Sequence, residues 1–312
     1  MDKSIPDDKF ILARKAEALR IRAGLIQSIR LYFINQKFLE IETPVRIPAP
    51  APEEHIEALP SGNWFLQTSP ELCMKRLLAA GYPQIFQISK SFRAGERGKL
   101  HLPEFTMLEW YAAGFDYREL MNQCEEMIIA VARHLDFVNG IVWQGKQIKL
   151  ASPWERITVS EAFEKYAPVT LTEVLNQDKF DEILVEYVEP NLGIVRPAFL
   201  YDYPAELGAL ARLKADDHKV AERFELYIGG LELANGFSEL TDTQEQRQRF
   251  MEAQKLRAQK GYAAYPIPEK FLLSLENLPA SAGIALGIDR LAMIFADTCS
   301  IDDVVTFTPE SL

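Results

Sequence analysis

The stretch RFELYIGGLELANGFSEL, residues 223–240, constrains this chain more than any other. Gly229 and Gly230 separate two runs of aromatic and aliphatic residues, and a Gly-Gly pair supplies the two positive-φ positions of a tight hairpin turn. Fixing that turn fixes the register: Ile228 faces Leu231 and Tyr227 faces Glu232. Cross-strand partners share a sheet face, as do residues two apart on one strand. Glu225 and Glu232 then lie on one face as diagonal neighbours, roughly 7 Å apart at the backbone. Two carboxylates this close repel unless a cation sits between them, and oxygen ligands of this kind suit Mg²⁺, which bridges readily to phosphates. An exposed acidic hairpin would carry the same residues, and the hairpin alone leaves both readings open.

A second stretch, SFRAGERGKLHLPEFTMLEWY (91–111), has the same character. Strands are predicted over 84–93 and 104–113, with a glycine-rich basic loop between. Phe105, Met107, Glu109 and Tyr111 share one face of the second strand. Leu108 and Trp110 flank Glu109, and a poorly hydrated carboxylate needs a cation or hydrogen-bond donors. Arg93 stands at the loop mouth, where a guanidinium can fork onto a phosphate or a carboxylate. A structural ion pair beside a core tyrosine fits these residues equally well. In GIALGIDRLAMIF, Arg290 falls in the first turn of an apolar helix, an end whose dipole favours acids. Either a nearby anion or a buried salt bridge accounts for it. Gly283 and Gly287 allow close backbone approach there.

The remaining elements follow from periodicity. One long helix is predicted over 8–37, with Leu12, Ala16, Leu19, Ala23, Ile26 and Phe33 as its apolar stripe. FLEIETP reads as a half-buried strand ended by Pro44. SPELCMKRLLAAG is a helix with Ser69 as N-cap and Gly81 at its end. Further helices are expected over YRELMNQCEEMIIAVARHL and, as an exposed element, over 243–260. IVWQGKQIKL forms a small hairpin, AFLYDYP a strand, and 155–195 a mostly helical insertion. His55, His134 and His218 have no paired ligand spacing, and Trp64, Trp143 and Trp154 are assigned to packing. The pattern fits one α+β domain over residues 1–312, built on an antiparallel sheet.

Lysine plus arginine total 34 against 45 aspartate plus glutamate, a net charge of −11. That argues against a broad grip on a nucleic-acid backbone. Three cysteines, Cys73, Cys124 and Cys299, form no CxxC pair, which is the usage of a reducing cytoplasm. No secretory leader and no apolar run long enough to span a membrane is visible.

Taken together, the segments resemble a known family. FLEIETP, FRAGERGKLHLPEF and GIALGIDR are similar to motifs 1, 2 and 3 of class II aminoacyl-tRNA synthetases. TSPELCMKRLLAAG, HLPEFTMLEWY, LYDYPAE and the 223–240 hairpin look like the catalytic domain of lysyl-tRNA synthetase, in order along nearly the whole chain. The first long helix begins by about residue 8, so no anticodon-reading OB domain is expected. That shortness resembles the elongation factor P lysine ligase family, which attaches β-lysine to a lysine side chain of elongation factor P.

The resemblance implies a fold, a class II synthetase-like catalytic domain, and a set of roles. Arg93 and Arg290 would be catalytic: Arg93 on the α-phosphate and the substrate carboxylate, Arg290 on the γ-phosphate. Ser69, Pro70 and Glu71 would bind the amino acid, with Glu71 on the amino group near its carboxylate. Glu109, Tyr111 and Glu239 would take the distal ammonium, and Asn235, Phe237 and Ala285 would line that pocket. Gly95, Glu96, His101, Phe105, Glu232, Leu233 and Gly287 would join the two arginines around ATP, Phe105 stacking on adenine. Glu225 and Glu232 would hold Mg²⁺. A homodimer is implied through motif 1.

Three positions depart from the family pattern. Gly95 stands where motif 2 usually has glutamate, with Glu96 following. Leu102 replaces the asparagine of HNPEF. Ala285 stands where the synthetases usually carry glycine, and its extra methyl on the pocket floor bears on which lysine isomer fits. Strand parity adds a further requirement. Asn235, Phe237 and Glu239 fall on the face opposite Glu232 unless a bulge intervenes, and one is predicted near Ala234–Gly236. The activity implied is ATP-dependent formation of an aminoacyl-adenylate from (R)-β-lysine or lysine, then transfer to elongation factor P. The alternatives are charging of tRNA or a small metabolite, or a non-catalytic regulator binding amino acid or nucleotide.

Overall fold

The computed structural model describes residues 8–312. The chain begins with α1 (Asp8–Arg14) and α2 (Ala16–Asn35) rather than one helix over 8–37. At the break the Lys15 N–H bonds to the Leu12 carbonyl at 3.2 Å, a tight 3₁₀-type link that turns the chain. The buried stripe of α2 is Leu25, Ser28, Ile29 and Phe33, so the predicted stripe was rotated, and Ala23 is exposed.

The predicted strand after α2 shrinks to β1 (Leu39–Glu40), with Leu39 exposed. Three short strands, β2 (Arg46–Ile47), β3 (Pro60–Ser61) and β4 (Trp64–Leu66), make a small separate sheet. Trp64 is 41% exposed there, under the Arg46 guanidinium, and not in a core. Next come α3 (Glu71–Ala79), β5 (Gln84–Phe92), β6 (Glu104–Ala113) and α4 (Tyr117–His134). Asp116 caps α4 through a full capping box with Glu119. β7 (Ile141–Trp143) and β8 (Lys146–Ile148) form the expected hairpin at Gly145. Then follow β9 (Glu155–Thr158), α5 (Val159–Tyr166), α6 (Leu171–Asn176), α7 (Phe180–Ile183) and β10 (Ala198–Pro204). The chain closes with β11 (Val220–Ile228), β12 (Leu231–Ser238), α8 (Thr243–Gln259), α9 (Glu269–Ser274), β13 (Ser281–Gly287) and α10 (Ile288–Phe295).

Eight strands form one sheet in the order β1-β5-β6-β13-β12-β11-β10-β9. Every inner pairing is antiparallel, and only the outermost pairs, β1 on β5 and β9 on β10, are parallel. One face carries the main core: Leu108 and Trp110 of β6 pack with Phe33, Met127, Leu286 and Ile294. On the opposite face β6 presents Glu109 and Tyr111, and Tyr111 packs with residues of α3 and α9. Period-two alternation thus sets a polar floor directly over an apolar core. The segment after β9 brings its own cluster, in which Phe163, Phe180 and Val188 pack on Tyr203 and Tyr227.

The hairpin register is as predicted, Ile228 opposite Leu231 and Tyr227 opposite Glu232. A bulge follows, but at Leu233, since Leu226 pairs with Ala234. That is one residue nearer the turn than expected. Gly236 serves close packing instead: a Cβ there would lie 2.6 Å from the Phe224 ring. Beyond the bulge Asn235 pairs with Glu225 and Phe237 with Arg223. Asn235 and Phe237 therefore share the face of Glu225 and Glu232, which is what parity required.

Candidate active site

The buried end of the site is built by α3, β6 and β12. The Ser69 hydroxyl accepts from the Glu71 N–H at 3.0 Å and donates to Glu109 Oε1 at 2.6 Å. The cap position itself is Pro70, one residue later than predicted, so Ser69 links the helix start to the sheet. The Tyr111 hydroxyl donates to Glu109 Oε2 at 2.9 Å. Glu239 arrives just past the end of β12. Lys75, one helical turn after Glu71, lies 2.5 Å from Glu71 Oε1 and 2.5 Å from Glu239 Oε2, with its ammonium 5.0 Å from the Phe237 ring centre. Gly283 is required here: a Cβ would lie 2.1 Å from the Tyr111 ring and 2.7 Å from Glu239 Oε1.

Glu71 and Glu239 thus share one buried ammonium, and Glu109 beside them is held by two hydroxyl donors. Burial, reinforced by the neighbouring acids, pushes Glu109 and Glu239 each up to about 8. Among the described residues Glu239 Oε1 has no hydrogen-bond partner. A buried carboxylate without a partner is costly. The cluster is short of positive charge, and a ligand carrying ammonium groups would supply it.

The other end is an open cleft of about 770 Å³. Arg93 enters it at the loop mouth, its guanidinium 5.2 Å from the Phe105 ring centre and 3.8 Å from Glu96 Oε1. Its Nε is buried with no hydrogen-bond partner. Gly95 takes a positive φ of 77°, with open space beside it. Arg290 Nη1 donates to the Glu232 carbonyl at 2.8 Å and to Glu232 Oε2 at 3.2 Å, and Nη2 meets His101 Nε2 at 2.5 Å. Burial, Arg290 and Arg93 push His101 down, which keeps the ring neutral and able to accept from Arg290. The helix start is served by Asp289, which accepts from the Thr106 N–H and pairs with Arg22 at 2.8 Å. Arg290 is therefore free of that duty and faces the cleft. Leu233, Asn235, Ala285 and Gly287 line the cleft too. Ala285 pairs with Glu109 on one side and Asn235 on the other, at the junction of the two ends.

Glu225 is buried and well bonded. Tyr203 and Tyr227 donate to Oε2 at 2.5 and 2.7 Å, and Arg223 to Oε1 at 2.7 Å. Among the described residues Glu232 has only Arg290 as its charged partner. Among the described residues no three His, Cys, Asp or Glu side chains converge as a metal cage. Two cleft-facing carboxylates still fit a hard cation whose shell is completed by phosphate and water.

Sequence reasoning missed several of these residues. Lys75 was legible as the i+4 partner of Glu71, but its burial was not. Arg223 sits two residues before Glu225 on the same strand face and was passed over. Glu189, pushed up to about 7 mainly by burial, accepts from Tyr227 at 3.1 Å. Glu53 comes from a proline-rich loop that offered no signal. Leu102, where an asparagine was expected, is buried in the main core while also bordering the cleft.

Comparison with known proteins places the chain in a family. Residues 10–311 match the family model for tRNA synthetases class II (D, K and N). The chain is similar to an elongation factor P–(R)-β-lysine ligase of Pectobacterium atrosepticum, 38% identical over 310 residues that cover 93% of this chain and 94% of that protein. A protein of the same name from Salmonella dublin is 36% identical over 320 residues, covering 92% and 93%. The chain belongs to the class II tRNA synthetase family, on the branch of the elongation factor P–(R)-β-lysine ligases.

Proposed function

We propose that this protein is an ATP-dependent ligase that activates (R)-β-lysine, or lysine, as its adenylate and transfers it to a lysine side chain of elongation factor P. The observation that carries the reading is the buried set Glu71, Glu109 and Glu239 with Lys75 among them, joined through Ala285 beside Glu109 to a cleft that Arg93 lines. A basic amino acid fits that arrangement: its ammonium groups go to the carboxylates and its own carboxylate lies toward Arg93.

In the first step the amino acid carboxylate attacks the α-phosphorus of ATP in line and pyrophosphate leaves. Arg93 and Arg290 stabilise the developing charge, and the rigid sheet beneath holds the reactants together. Glu225 and Glu232 would hold Mg²⁺, which neutralises polyphosphate charge when bound. Phe105 offers a stacking face to the base. His101, neutral, orients Arg290. In the second step an amine attacks the adenylate carbonyl and AMP departs.

The reading extends to the assembly and its compartment. Leu31, Ile34 and Leu39 are 45%, 57% and 49% exposed at the α2–β1 corner, which suits contact with a second copy of the chain. Among the described residues no helix is long and apolar enough to cross a membrane, and the three cysteines are free. Work in the cytoplasm suits both.

The test is mass spectrometry of elongation factor P after incubation with enzyme, ATP, Mg²⁺ and each lysine isomer, with tRNA in a parallel arm. The expected product is a mass increase on a lysine of elongation factor P. Label on tRNA alone, or no lysine-dependent pyrophosphate exchange, would overturn the reading.

A further inference from the structure

The transfer step has a requirement that the residues above leave unmet. An incoming lysine amine is protonated near neutral pH and must lose that proton before it can attack. At the buried end Glu71 and Glu239 are engaged with Lys75, and Glu109 with Ser69 and Tyr111. Glu225 is held by two tyrosines and an arginine, and Glu232 by Arg290.

Glu53 differs from all of them. It lines the open cleft, the side from which a protein side chain would enter, together with Arg93. Its carboxylate makes no hydrogen bond or ion pair among the described residues. Its backbone, by contrast, is pinned. The buried Arg257 of α8 donates through Nη1 to the Glu53 carbonyl at 2.7 Å and to the Ile56 carbonyl at 2.6 Å. The Arg257 guanidinium lies 4.1 Å from the Tyr265 ring centre, and the Tyr265 hydroxyl accepts from the Ala58 N–H at 2.8 Å. A loop stiffened by Pro48, Pro50 and Pro52 is thus clamped across some 200 residues of sequence, and it presents one unpartnered carboxylate. The neighbouring Glu54 turns away to Lys260 at 2.8 Å.

We infer that Glu53 is the general base of the transfer step, taking the proton from the acceptor ammonium beside Arg93. The inference rests on the ligase reading above. The ammonium gives one proton to the Glu53 carboxylate and becomes a neutral amine. Its lone pair attacks the adenylate carbonyl carbon, a C–N bond forms, and the C–O bond to phosphate breaks. AMP leaves with that electron pair, and the second nitrogen proton passes to its phosphate or to water. The charges acting on Glu53 are Arg93, Arg223 and Lys75, which favour its ionised form, and Glu71, which opposes it. Burial outweighs them and pushes the group up to about 7, a value suited to taking a proton near neutrality.

The experiment compares wild type, Glu53→Gln and Glu53→Asp in three assays with (R)-β-lysine and lysine. These are ATP–pyrophosphate exchange, single-turnover transfer to elongation factor P across pH 6–9, and capture of the adenylate by hydroxylamine, a nucleophile already neutral at pH 7. For Glu53→Gln, exchange and hydroxylamine capture stay within about threefold of wild type. Transfer falls about 100-fold or more at pH 7 and loses its rising limb near pH 7, while Glu53→Asp keeps that limb. Unchanged transfer with intact exchange overturns the assignment. So does an equal loss in exchange and transfer, which would make Glu53 a substrate-holding group. Absence of exchange in the wild type would instead overturn the ligase reading itself, and this inference with it.

Discussion

The two ends of the site are charged in opposite ways. At the nucleotide end both hairpin acids have a cationic partner: Arg223 beside Glu225 and Arg290 beside Glu232. At the amino-acid end Glu71 and Glu239 share Lys75, Glu109 has only hydroxyl donors among the described residues, and Glu109 and Glu239 are held up at about 8. The hairpin acids are thus electrostatically settled without a ligand, and the buried cluster is not. A cleft that binds a polyphosphate gains most from donors held in place. A pocket that must choose a doubly cationic amino acid gains from acids whose cost is relieved only by that ligand.

The largest effect falls where the comparison is sharpest. Lys75→Met strips the only cation from Glu71 and Glu239, and loss of one partner of a buried pair costs about 3–5 kcal/mol. Urea unfolding should show that loss, with saturating lysine restoring part of it. Next, Arg290→Ala should lower pyrophosphate exchange about 10²–10³-fold, the range for one preorganised donor. Calorimetric affinity for lysine should stay unchanged, and a parallel fall would mean that the two ends are not separable. Smaller still, Ala285→Gly removes one methyl between Glu109 and Asn235. It should change the ratio of kcat/KM for the two lysine isomers by about 1–3 kcal/mol at most, with ATP parameters unaltered.

A further prediction concerns the pH dependence of stability. Glu109 is raised from 4.5 to about 8 by burial. Between those values the folded protein holds a proton that the unfolded chain has released, so this group's contribution to stability falls as pH rises through the window. Glu109→Gln removes that dependence. The variant should match wild type near pH 4.5 and gain on it steadily toward pH 8, by several kcal/mol at about 1.4 kcal/mol per pH unit, read from thermal unfolding. Lysine activation should be lost at the same time.

What the sequence could reveal followed from short-range geometry. The Gly229–Gly230 turn fixes its own register, and parity alone demanded a bulge before Asn235. Its placement at Leu233 was not legible, because Gly236 is spent on contact with Phe224 and Ile284. Glu109 between Leu108 and Trp110 announced its burial through strand alternation. Helix α8 hid its role: it is mostly polar, yet it buries Gln246, Phe250 and Arg257, a stripe too sparse for periodicity to find. Glu53 depends on Arg257 and Tyr265, contacts that no local pattern encodes. The break at Lys15 likewise has no glycine or proline to mark it.

Proton linkage on amino-acid binding tests the central claim most directly. Lysine, and separately (R)-β-lysine, would be titrated calorimetrically at pH 7 in buffers of different ionisation enthalpy. An ammonium arriving beside Glu109 and Glu239 pulls both below neutrality, so complex formation with the preferred isomer should release about one proton or more. Binding with no proton release would contradict the account, since the carboxylates would then have received no new charge.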